Sequence, residues 1–88
     1  MDPREIERLI KIIKAKLVDG KLPYNSIPRI WGGPGNGESC DACETPITPA
    51  EFLMEGIASA GGGGVQFHVK CFYLWDGLRR AISANDHT

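Results

Sequence analysis

The sequence predicts an α+β fold. Three observations predict it: apolar residues recur at helical spacing through residues 6–17, two short β-type segments flank a run of four glycines, and a second helical stripe begins directly after the later segment. The chain of 88 residues makes one small domain, and a domain of this size buries too little surface to be comfortably stable on apolar packing alone. An additional staple is therefore expected.

The elements follow in order. Asp2-Pro3 ahead of Arg4-Glu5 reads as a helix start, with Asp2 able to cap free amides, Pro3 at the first helical position and Glu5 favoured by the helix dipole. Ile6, Leu9, Ile10, Ile13 and Leu17 then form one apolar stripe, and Gly20 supplies the stop. Arg4, Arg8 and Lys11 fall on the opposite side, where Glu7 precedes Lys11 in the favourable i, i+4 order. The stripe of this N-terminal amphipathic helix (1–20) must cover either the rest of the domain or a second copy of itself. Because charges interleave with its apolar residues, the segment has the composition of neither a signal peptide nor a membrane span, and a cytoplasmic location is expected.

Residues 21–37 read as an irregular Pro/Gly-rich connector, since Pro23, Pro28 and Pro34 interrupt regular backbone hydrogen bonding. Ile27, Ile30 and Trp31 are expected to pin it to the core. The run Gly32-Gly33-Pro34-Gly35-Asn36-Gly37 is no phosphate loop, because no Lys-Ser or Lys-Thr follows it. Beyond it, residues 51–59 and 65–69 read as strands joined by a glycine tip at 60–64, with Phe52, Met54 and Phe67 expected in the core. Cys71, Leu74, Trp75, Leu78 and Ile82 share one face of the closing helix, on which Asp76 can pair with Arg79 or Arg80. The tail 85–88 is expected to fray, with His87 solvated.

The chemistry-bearing residues are Cys40-Asp41-Ala42-Cys43 and His68-Val69-Lys70-Cys71, which use all three cysteines of the chain and one of its two histidines. Two pairs, each with two residues inside it and separated by 24 residues, match the spacing of a tetrahedral zinc site, because each pair grips the ion from one piece of backbone. A thioredoxin-like redox pair lacks its βαβ surroundings, and a disulfide would leave one cysteine over. Iron–sulfur ligation suits the paired spacing less well. The expected ligands are thus Cys40, Cys43, His68 and Cys71 around Zn2+, within a zinc-binding domain spanning 38–84. Cys71 sits in the first turn of the closing helix, where the dipole favours a thiolate.

A metal turn, a hairpin and a helix whose start supplies the remaining ligands resemble the treble-clef class of zinc fingers. Phe67-His68-Val69-Lys70-Cys71-Phe72 is similar to the aromatic-His-x-x-Cys-Phe run of the first finger of LIM domains, and more distantly the ligand pairing resembles that of poly(ADP-ribose) polymerase zinc fingers. The resemblance covers about residues 38–80 and implies a treble-clef fold with those four ligands. Departures are clear: residues 72–88 hold no cysteine for a second finger, Glu44 stands where many zinc turns have glycine, and the first 37 residues match neither family.

Net charge is −1 but uneven, with seven basic and four acidic side chains in residues 1–30 against none and five in residues 31–67. Three cysteines and a histidine close a zinc coordination sphere, whereas hydrolytic zinc needs an open position, so no enzymatic activity and no small-molecule substrate are expected. The expected role is a protein-interaction or assembly module, with a protein partner or self-association through the N-terminal helix or docking through the aromatic residues. The alternative is a nucleic-acid-binding regulator that uses the basic face of residues 4–16 with Lys21 and Arg29. No membrane association is expected.

Overall fold

The computed structural model describes residues 2–24, 27, 29–57 and 64–86, with side chains at the C-terminal end as far as Ile82. The element order is α1 (Pro3–Val18), β1 (Arg29–Pro34), β2 (Glu38–Ser39), β3 (Pro46–Ile47), β4 (Phe52–Ile57), β5 (Gly64–His68) and α2 (Val69–Asp86). The class is α+β, as expected. β1, β4 and β5 form an antiparallel sheet in the order β1-β4-β5, and β2 pairs with β3 in a two-residue ladder. No described helix is long and apolar enough to cross a membrane.

α1 starts as its sequence dictates: the Asp2 carboxylate accepts the Arg4 N–H at 3.0 Å, and Pro3 opens the helix. Such a cap is worth about 1 kcal/mol. It ends in a left-handed Gly20 (φ +77°), which lets Lys21 N–H reach the Lys16 carbonyl at 2.8 Å and Gly20 N–H that of Leu17 at 3.2 Å. This paired closure satisfies carbonyls that the last turn leaves free. Leu9, Ile13 and Leu17 are fully buried, and Ile6 and Ile10 are half-buried. The stripe therefore covers the rest of the domain and is not open to a second helix.

What it joins is a core built on Trp75, Phe67, Leu22, Ile47, Leu53, Cys40 and Cys71. Trp75 stacks on Phe67 with centroids 5.4 Å apart, donates Nε1–H to the Pro23 carbonyl at 2.8 Å, and carries the Arg79 guanidinium over its ring at 5.2 Å. A salt bridge of 2.7 Å between Lys70 and Glu5 ties the start of α2 to α1. The Lys70 hydrogen bond holds the Glu5 carboxyl below its ordinary value. Asp76 pairs with both Arg79 and Arg80.

Four expectations are corrected. Residues 29–34, read as irregular connector, form β1. Pro34 is tolerated because it is the last residue of an edge strand, where a missing N–H breaks no internal ladder bond. Ile30 and Trp31 do not pin this segment to the core: they are 38% and 48% exposed, and Trp31 instead donates Nε1–H to Glu55 at 2.9 Å. Phe52, expected in the core with Met54 and Phe67, is 55% exposed and lies over Gly32. α2 continues to Asp86 because no proline or glycine interrupts residues 78–86, so Asn85 and Asp86 are helical where fraying was expected. His87 and residues 60–63 of the glycine tip lie outside the described residues, and Gly64 opens β5.

Candidate metal centre

Two pieces of backbone converge on the site, the β2–β3 turn and the continuous passage from β5 into α2. Cys40 follows β2, Cys43 closes the turn between β2 and β3, His68 ends β5, and Cys71 sits in the first turn of α2. One ligand atom from each of the four lies within 4.8 Å of all the others. A tetrahedral ion holding sulfur at about 2.3 Å spaces its ligand atoms about 3.8 Å apart, so the cluster is already near the size required. These four residues can hold a metal ion. Cys40, Cys71 and His68 are buried, and Cys43 is half-buried.

The histidine is oriented. Its Nδ1 lies 3.3 Å from Cys43 Sγ, while Nε2 lies 3.2 Å from the Pro46 carbonyl and 3.4 Å from Glu51 Oε1. A carbonyl can only accept, so the proton belongs on Nε2 and the Nδ1 lone pair faces the thiols. Outer partners of this kind fix the tautomer of a ligating histidine. Glu51 is itself held: it accepts the Thr48 N–H at 3.0 Å, and that bond, followed by His68, keeps its carboxyl below the ordinary range.

The thiols are electrostatically prepared. A hydrogen bond from Cys71 lowers the Cys40 thiol to about 4 against the cost of burial, with backbone hydrogen bonds from Cys43, His68 and Ala42 assisting. Cys71, beside that thiolate and buried, is pushed up. Binding a metal to such a site releases protons, because thiols must be deprotonated to ligate.

The turn itself is shaped by Glu44, which takes a left-handed conformation at φ 66°. Glu44 N–H donates to the Cys40 carbonyl at 2.9 Å and Cys40 N–H to the Thr45 carbonyl at 3.0 Å, closing the loop around the ligands. Lys16 of α1 reaches across to it, donating to the Asp41 carbonyl at 2.8 Å and pairing with Glu44 at 3.2 Å. Asp41 docks the turn on β5: its N–H donates to the Gln66 carbonyl at 2.8 Å, and its carboxylate accepts the Gln66 N–H at 2.7 Å. Lys16, Pro46, Glu51 and Gln66 carry no motif that sequence reasoning could use. The one available signal was Asp41 inside the C-x-x-C pair.

A left-handed residue with a side chain costs about 1 kcal/mol that glycine avoids, and an ion pair whose Glu44 end is exposed to solvent returns less than that. Glu44→Gly should therefore retain the metal and unfold at equal or higher denaturant concentration than the wild type, whereas Glu44→Val should unfold earlier. A marked loss of stability in Glu44→Gly would show that the Lys16 contact, not backbone strain, dominates this turn.

Comparisons with protein-family models, curated proteins and solved structures give no match to this chain.

Proposed function

We propose that the protein binds one zinc ion through Cys40, Cys43, His68 and Cys71 in a treble-clef-like arrangement, and acts as a protein-interaction or assembly module in the cytoplasm. The observation that carries this reading is the converged Cys3His cluster, whose ligand atoms lie within 4.8 Å of one another. Three sulfurs and an imidazole suit zinc, and four protein ligands leave no position for a reacting water, so the ion is structural and the protein is not an enzyme. Lys16 and Lys70 flank the cluster, whose three thiolates and one divalent ion carry net negative charge; the Lys70 ammonium is held above its ordinary value by Glu5 and, to a smaller extent, by Cys71 and Cys43. Exposed Trp31 and Phe52 supply interaction surface, while the apolar stripe of α1 is occupied internally.

One observation favours a second reading. Arg4, Arg8 and Lys11 stand on the exposed face of α1, at a spacing that can neutralise successive phosphates, as a nucleic-acid-binding regulator would require. Titration against mixed-sequence DNA and RNA at low and moderate salt separates the two. The interaction-module reading expects no salt-dependent binding. Salt-sensitive binding that disappears when Arg4, Arg8 and Lys11 are all changed to Glu would overturn it in favour of the regulator.

A further inference from the structure

We infer that β1 is a self-association edge, on which a second copy of this chain adds its own β1 in antiparallel pairing to make a two-fold dimer with a continuous sheet. This rests on the interaction-module reading and names its partner.

The phase of the β1–β4 ladder decides which groups are free. Gly35 N–H donates to the Glu51 carbonyl at 3.0 Å, and the register pairs Gly33 with Leu53, Trp31 with Glu55 and Arg29 with Ile57. In an antiparallel pair, hydrogen-bonded positions alternate, so the odd residues of β1 turn their N–H and C=O groups to β4. Those of Ile30 and Gly32 point away from the sheet. Among the described residues, no element lies along that side of β1.

The edge also lacks the features that usually protect one. Its six-residue register runs without a bulge, Arg29 is its single charge, and Pro34 stands only at its last position. The other edge of the same sheet is closed, since Asp41 exchanges hydrogen bonds with Gln66 of β5. One free edge and one covered edge give a closed pair and not a fibre.

A second β1 fits this edge in side chains as well as backbone. With Trp31 placed opposite Trp31 of the other copy, Ile30 and Gly32 exchange about four hydrogen bonds across the two-fold axis. The two indoles meet at a position without ladder bonds, where side chains approach closest and aromatic pairs are favourable. On the opposite face, Ile30 comes against Gly32 of the other copy and therefore against the Phe52 ring that overlies it. Ile30, Trp31 and Phe52, exposed in the single chain, are thus covered together. Charge agrees: Arg29 crosses to Gly33 of the other copy, on the face that carries Glu55, and residues 31–67 hold five acidic and no basic side chains.

The test combines sedimentation of the metal-loaded full chain from about 1 μM to 1 mM with residue-level amide exchange over the same range. The mass should double with concentration, and the Ile30 and Gly32 amides should pass from free exchange to protection in step with it. Trp31→Lys sets two ammonium groups against each other and should weaken association at least about tenfold, with metal content and circular dichroism unchanged. If that variant fails to fold, wild-type exchange alone decides. A wild type that stays monomeric throughout would overturn the inference, as would a dimer whose Ile30 and Gly32 amides exchange freely. Neither result touches the interaction-module reading, which the nucleic-acid titration decides.

Discussion

Stripping the metal with a strong chelator is expected to unfold the whole chain, α1 included. The candidate ligands come from the β2–β3 turn and from the continuous β5–α2 segment, so removing the ion would release from each other the two pieces of backbone against which α1 packs. Structural zinc supplies about 10–16 kcal/mol in isolated finger peptides, as much as or more than the entire stability of a typical domain. Once free, α1 has no reason to persist: a helix of 16 residues is marginal in water, and its stability here comes from burying Leu9, Ile13 and Leu17. Far-ultraviolet circular dichroism should therefore lose most of its helical signal on chelation and recover it on returning zinc. The same loss should follow acidification, because metal ligands of these types must be deprotonated to bind and binding therefore weakens as pH falls. A helical signal unchanged in chelator would show that the packed core stands without the ion.

Ile13→Asp should be nearly as damaging. Ile13 is fully buried at the centre of the α1 stripe, with 0% exposure. The substitution forfeits about 2–3 kcal/mol of apolar burial and leaves a carboxylate without a partner, for a total of about 5 kcal/mol or more. Expected outcomes are insoluble expression or a chain that no longer retains zinc. Val18→Asp, one residue beyond the stripe and 75% exposed, should change stability by no more than about 0.5 kcal/mol. Equal denaturation midpoints for Ile13→Asp and the wild type would contradict the packing of α1 on the metal domain.

Legibility in the sequence followed the range of the forces involved. The two candidate ligand pairs were readable because local spacing lets each pair present both side chains to one point, and all four residues converge. α1 was readable from its cap, stripe and glycine stop, since each acts within a turn or two of helix. β1 was not. Its Arg-Ile-Trp-Gly-Gly-Pro composition has no clear alternation, and its place is set by pairing with β4, a partner about two dozen residues away in the chain. The same long-range register left Trp31 and Phe52 on the surface, where their size alone had suggested the core. The left-handed backbone at Glu44 was signalled only by the resemblance to zinc turns that have glycine there, because closure of the turn imposes it against the preference of glutamate.

Metal analysis of protein purified without added zinc tests the central claim most directly. Elemental mass spectrometry should find zinc and chain in a 1:1 ratio, with the zinc sharply reduced in Cys40→Ser and in Cys71→Ser. A full zinc load in either variant, or a folded wild type containing no metal, would contradict the assignment of Cys40, Cys43, His68 and Cys71 as a structural zinc site.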